Sequence, residues 1–98
     1  MKIKVEIPDE TFLAGVVVAQ GVVVAPSPPA LAAELDKLVA QRACEEFPPP
    51  AIKDGIRAML RRGGFRPAGR NKPASEYLAQ AAREGRFPRI NNLVDINN

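Results

Sequence analysis

Charged and apolar residues alternate over residues 2–7, at the start of the chain. A period of two places the apolar side chains on one face of an extended backbone, which predicts a short β-strand. Valine triplets follow in two near-identical copies, at residues 15–20 and 21–26. Valine runs are typical of buried strands. We interpret the copies as one long strand with a glycine bulge, and a pair of strands joined at residues 20–21 is the alternative.

The apolar period changes to that of a helix after the valine copies. Ser27 and the two prolines behind it are a helix-start signal, and apolar residues at i, i+4, i+7 and i+8 predict a helix to about Glu46. The same spacing after a proline triplet predicts a second helix that stops at Gly63. A third helix is predicted from Ser75, as its cap, to Gly85.

Strands that precede helices along the chain indicate an α+β fold, with short N-terminal strands followed by three to four helices. The length of 98 residues fits a single small domain. The predicted strands are too few for a complete sheet. We therefore expect either self-association or a missing C-terminal portion to complete it, so residues 1–98 are one domain or the N-terminal fragment of a larger sheet-and-helix domain.

The composition restricts the chemistry that the chain can perform. Cys44 is the only cysteine and histidine is absent, so an intramolecular disulfide and a Cys–His or Ser–His nucleophile are excluded. The acidic residues lack the spacing of metal ligands, and we expect no metal and no cofactor. No signal peptide is visible, and the apolar stretch 16–25 is too short to cross a bilayer. These features predict a cytoplasmic protein with no membrane partner.

The net charge of +3 conceals a strong asymmetry along the chain. Residues 1–52 carry four Lys or Arg against seven Asp or Glu, whereas residues 53–89 carry ten against three. A half-chain this basic is typical of a protein with a phosphate-rich partner, and a solvated helix surface is the alternative. Lys53, Arg57 and Arg61 recur at i, i+4 and i+8, which predicts a basic stripe on the second helix.

The last twelve residues contain four asparagines and one aspartate in an apolar segment behind a Pro-Arg turn. Asparagine is unfavourable inside a helix, because its amide competes for backbone hydrogen bonds. Structural alternatives exist for two of these residues. Asn91 fits a helix cap, and Asp95 fits a partner of Arg89 or of a backbone amide.

A resemblance to a known family rests on residues 70–98. The loop Arg-Asn-Lys-Pro-Ala-Ser at 70–75 and the run Pro-Arg-Ile-Asn-Asn-Leu-Val-Asp at 88–95 resemble the tRNA-binding editing domain of the phenylalanyl-tRNA synthetase β subunit. This domain consists of the joined third and fourth B domains, and the freestanding members of the family are the most similar in these motifs. The resemblance covers roughly the last thirty residues and implies an α+β fold that binds tRNA and holds a mischarged amino acid in a pocket.

The resemblance implies roles for eight residues. Basic residues in the loop and beside the terminal motif would contact tRNA phosphates, since guanidinium and ammonium groups match phosphate oxygens. These are Arg66, Arg70, Lys72, Arg86 and Arg89. Residues that match the terminal motif would frame the substrate pocket, and these are Asn91, Asn92 and Asp95. No catalytic residue carries over, because much of the family's pocket comes from strands and loops that follow this motif.

The leading hypothesis is a tRNA-binding protein related to the editing domain, and not a complete ligase. Hydrolysis of mischarged aminoacyl-tRNA in trans stays open, with the catalytic residues unknown. One alternative is a non-catalytic fragment that binds RNA or protein. The other alternative is a small amino-acid-binding module.

Overall fold

The computed structural model describes all 98 residues and contains four helices and no strand. The helices are α1 (Pro29–Arg42), α2 (Pro50–Arg62), α3 (Ala74–Arg83) and α4 (Asn92–Asn97). The predicted α+β fold class is therefore wrong, because the sheet is absent and residues 1–28 contain neither strand nor helix. None of the four helices has the length and apolar character needed to cross a membrane.

The predicted N-terminal strands do not form, because their backbone groups have no neighbouring strand with which to pair. In residues 1–24 the only hydrogen bonds between backbone groups are local, from the amide of Asp9 to the carbonyl of Ile7 and from the amide of Phe12 to that of Asp9. A strand is defined by its ladder with a neighbour, and β-propensity largely measures how well side chains pack on a sheet. The alternation and the valine runs supply that propensity without the neighbour. Val17, for example, remains 95% exposed.

The helices lie where the apolar period predicts them, but their ends differ in detail. α1 stops at Arg42, earlier than the predicted Glu46. Proline supplies the start of α1 and α2, since its fixed φ suits the first turn and its missing amide is not needed there. Ser27 and Ser75 do not cap α1 and α3; the residues at those positions are Pro28 and Pro73, and neither helix has a side-chain cap.

The core of the molecule is small and lies around α3. The buried apolar residues of α3 are Ala79, Ala81 and Ala82. This helix packs against α1, and α1 also contacts α4. Pro67 and Pro73 are also buried, at the two sides of the loop between α2 and α3. The packed part of the chain therefore starts near α1, and it includes the loop that carries the predicted phosphate contacts.

Charged groups attach α2 to the rest of the molecule. Arg57 donates two hydrogen bonds to the carboxylate of Glu76 in α3, at 2.7 and 2.8 Å, and a third to the carbonyl of Pro67 at 3.3 Å. Arg62 donates to Asp9 in the N-terminal segment at 2.7 Å. No residue of α2 is buried. Ion pairs therefore help to position α2, together with its half-buried apolar residues Ile56, Met59 and Leu60.

Candidate nucleic-acid interface

Asn91 caps α4. Its backbone is extended, and its side-chain Oδ1 accepts hydrogen bonds from the amides of Leu93 at 3.1 Å and Val94 at 2.9 Å. This geometry satisfies amides that have no partner inside the helix. The side chain of Asn91 thus acts as a helix cap, which is the structural alternative given for it in the sequence analysis.

Asn92 holds the extended segment that precedes α1. Its amide donates to the carbonyl of Ala25 at 2.9 Å, its Oδ1 accepts from the amide of Ala25 at 3.2 Å, and its Nδ2 donates to the carbonyl of Val23 at 3.0 Å. We call these three hydrogen bonds the Asn92 clamp. Both partners lie more than 60 residues earlier in the chain, so no local pattern around the asparagine indicates it.

Asp95 is the most deeply buried charged residue, at 3% exposure. Its carboxylate accepts hydrogen bonds from the amide of Ile90 at 2.8 Å and from the hydroxyl of Ser27 at 2.5 Å. The Ile90 amide and the Ser27 hydroxyl hold the pKa of this carboxyl below its ordinary value. Both carboxylate oxygens therefore have partners inside the molecule, and the hydroxyl predicted to cap α1 is one of them.

An apolar cleft of about 490 Å³ lies between α1, α3 and the C-terminal segment. Leu38, Leu78, Phe87 and Ile96 are among its lining residues. Its volume falls within the range of small-molecule sites, roughly 300–1,000 Å³. Of the three residues predicted to frame a substrate pocket, only Asp95 lines the cleft.

Half of the basic side chains are neutralised within the molecule. Seven of the 14 lysines and arginines form salt bridges with carboxylates. Arg42 lies over the ring of Phe47, 4.9 Å from its centroid, and Arg83 donates to the carbonyl of the same residue. Lys2 is one of the cations that remain without a partner. The others lie together at positions 61–72 and are Arg61, Arg66, Arg70 and Lys72.

We call residues 61–72 the cationic segment. Four of its five basic residues, the ones just named, are exposed and form neither a side-chain hydrogen bond nor a salt bridge, whereas the fifth, Arg62, is paired with Asp9. Three of them, Arg66, Arg70 and Lys72, are residues for which the sequence predicts phosphate contacts. Arg61 was not among those five residues, although the predicted stripe on α2 included it.

Two of the five predicted phosphate contacts have carboxylate partners. Arg86 pairs with Glu84, and Arg89 pairs with Asp36 of α1. In both pairs at least one side chain is largely exposed, so these are surface ion pairs that water and salt weaken. These two arginines are therefore less available to an external anion than the cationic segment.

The predicted basic stripe on α2 is interrupted by one carboxylate. Glu76 receives the bidentate hydrogen bonds of Arg57, and its Oε1 lies 3.8 Å from the Nζ of Lys53. The hydrogen bonds from Arg57 lower the pKa of Glu76, so the carboxyl stays charged under ordinary conditions. Only Arg61, at the C-terminal end of the stripe, is left without a partner.

The loop within the cationic segment is held at several points. Pro67 and Pro73 are buried on either side of its turn, and the amide of Asn71 donates to the carbonyl of Ala68 at 3.0 Å. The hydroxyl of Tyr77 donates to the carbonyl of Arg70. Gly69 adopts a φ of +57°, a conformation that favours glycine. The backbone of the loop is thus fixed, whereas its basic side chains are exposed.

The side chains form no recognised set of catalytic groups for hydrolysis. No three carboxylate or thiol groups lie close enough together to hold a metal ion. Cys44 is free and half-buried. The structure therefore indicates no catalytic residue, and the sequence indicated none.

Comparisons with protein families, with curated proteins and with solved structures give no match to this chain. The resemblance to the editing domain thus stays a prediction from the residues at positions 70–98.

Proposed function

We propose that the chain binds tRNA through the cationic segment, as a relative of the synthetase editing domain. The observation that supports this proposal is the set of four neighbouring cations without partners, in a molecule where half of the basic side chains are already neutralised. Contacts of this kind position nucleic acid without reading its sequence. The proposal therefore concerns affinity and placement, not base-specific recognition.

Cations without partners are better suited to bind phosphate than paired ones. A guanidinium that already holds a carboxylate must give up those hydrogen bonds before it binds an anion, which offsets part of the gain. Arg66, Arg70 and Lys72 have no such contact to lose. Arg86 and Arg89 do, and we assign them a secondary role in the same interface.

Salt-dependent binding of uncharged tRNA tests this proposal. Each phosphate contact that is lost should reduce the slope of log Kobs against log salt by roughly 0.9 on a duplex region and roughly 0.7 on a single strand, because fewer counterions are released. We expect Arg70→Gln and Lys72→Gln each to weaken binding and to flatten this slope, as measured by fluorescence anisotropy across a salt series.

Lys37→Gln is the matched control for these variants. Lys37 is an exposed lysine on α1 that lies 3.6 Å from Glu34, and its substitution changes the net charge by the same amount. It should leave the slope almost unchanged. An equal loss of affinity in all three variants would mean that only overall charge matters, and it would contradict an interface at the cationic segment.

Hydrolysis of mischarged tRNA is the second candidate function, and the apolar cleft favours it. A cleft of about 490 Å³ with leucine, phenylalanine and isoleucine in its wall has the size and character to hold an aromatic amino acid side chain. In the reaction, water attacks the ester that links the amino acid to the ribose. The protein would contribute mainly positioning and hydrogen-bond donors.

Incubation with tRNA for phenylalanine that carries tyrosine separates the two candidates. Release of tyrosine faster than the spontaneous rate would support the deacylase. Release at the spontaneous rate, together with salt-dependent binding, would leave a non-catalytic tRNA-binding protein. Lack of tRNA binding with retained binding of free tyrosine would instead favour the amino-acid-binding module.

A further inference from the structure

Two of the five aromatic side chains are exposed, and both adjoin the cationic segment. Phe65 is 41% exposed and Tyr77 is 43% exposed, whereas the other three aromatic residues are half-buried elsewhere. Exposed aromatic rings among basic residues are the combination by which proteins bind single-stranded nucleic acid, since bases stack on the rings while cations follow the backbone.

Phe65 and two of the cations without partners surround the same shallow depression. Its lining includes Arg61, Phe65, Arg66 and Pro67. The amide of Phe65 donates to the carbonyl of Leu60 at 3.0 Å, which continues the turn that ends α2. The backbone of Phe65 is therefore held by the helix end, and Phe65 lines the depression together with Arg61 and Arg66.

Tyr77 differs from Phe65 because its side chain forms a structural hydrogen bond. Its hydroxyl donates to the carbonyl of Arg70 and so helps to fix the loop. Phe65 has no polar atom to satisfy, and no structural hydrogen bond depends on its side chain. Phe65, at 41% exposure, is thus the aromatic residue of the two that is available to an external ring.

We infer that Phe65 is a stacking platform for an unpaired base, with Arg61 and Arg66 as contacts for the adjoining phosphates. The ligand of the cationic segment is accordingly a single-stranded segment of RNA, because the bases of a duplex are already stacked on one another. This inference rests on the proposed function and adds to it the kind of RNA structure that the segment binds.

Phe65→Trp provides a direct test, because the chain contains no tryptophan and the new indole is the only one. We expect its fluorescence to be quenched when a single-stranded RNA of about ten nucleotides binds, and to change little with a duplex of the same sequence. Stacking of a base on the indole is the cause of this quenching, so its extent at saturating RNA does not depend on how strongly the variant binds.

Phe65→Leu is the matched variant that keeps an apolar side chain and removes the aromatic face. We expect it to weaken binding of the single strand about tenfold and binding of the duplex less than twofold, since base–aromatic stacking is lost only with the single strand. An unchanged far-ultraviolet circular dichroism spectrum would show that the helices persist in this variant.

The outcomes distinguish this inference from the proposed function. Salt-dependent binding by the unaltered protein, with no quenching and no effect of Phe65→Leu, would overturn the stacking platform and leave the tRNA interface in place. Tighter binding of the duplex than of the single strand would also overturn it. Absence of any RNA binding by the unaltered protein would overturn both.

Discussion

Asn92→Ala should release the segment that precedes α1 from α4. The substitution removes the two side-chain hydrogen bonds of the Asn92 clamp, to the amide of Ala25 and the carbonyl of Val23. The third, from the backbone amide of residue 92, remains. At a net value of about 0.5–1.5 kcal/mol for each hydrogen bond, the loss is about 1–3 kcal/mol. The bonds are solvent-accessible, so we expect the lower half of this range.

A second effect opposes this loss. In a helix interior alanine is a better helix former than asparagine by roughly 0.6 kcal/mol, and the difference is smaller at residue 92, because it is the first residue of α4. The expected net destabilisation is therefore about 1 kcal/mol, which corresponds to a fall in Tm of roughly 4–8 °C for a chain of this size.

Asn97→Ala is the control. Asn97 lies in the same helix, and its side chain makes no hydrogen bond. The variants should be compared by chemical denaturation and by hydrogen exchange at the amide of Ala25, which is a donor in the clamp. Equal stability of the two variants, with equal protection of the Ala25 amide, would refute the stabilising role of the clamp.

Two further predictions concern charged groups. The hydroxyl of Thr11 and an arginine of α2 lower the pKa of Asp9 to about 2. Because this pKa is lowered, the contribution of Asp9 to stability is complete above the ordinary aspartate pKa near 4 and is lost as the pH falls towards 2. Denaturation at several pH values should show this loss of stability, and the loss should be smaller in Asp9→Asn. Glu76→Gln should increase RNA affinity and steepen the salt dependence, because it frees Lys53 and Arg57, while lowering the free energy of unfolding. Unchanged affinity would show that these two cations lie outside the interface.

Local sequence patterns predict where the helices lie along the chain, because the signals for a helix stand in its own residues and next to them. The prolines before α1 and α2 and the glycine after α2 are signals of this kind, and the structure confirms both starts and the end of α2. The strands could not be predicted in the same way, since a strand also needs a neighbour. Ser27 shows the same limit on a smaller scale. Its hydroxyl suits a helix cap, but it binds Asp95, which lies 68 residues later.

The candidate interface was partly predictable from the sequence. The three cations of the loop follow from their composition and setting, and the structure leaves all three without partners. The sequence does not show that Glu76 neutralises Lys53 and Arg57 but not Arg61, because that depends on how α3 lies against α2. The sequence does show an aromatic residue, Phe65, beside cations, but it does not show that this residue is exposed, and a stacking role requires exposure.

The two buried prolines have a consequence for binding. Ordering a flexible residue costs roughly 1–2 kcal/mol of conformational free energy, and a disordered basic tail meets that cost each time it binds a ligand. Between Pro67 and Pro73 the backbone already has one shape when the chain is folded, so a ligand meets a preorganised surface. Basic side chains carried on such a backbone should bind an anion more tightly than the same number on a free tail.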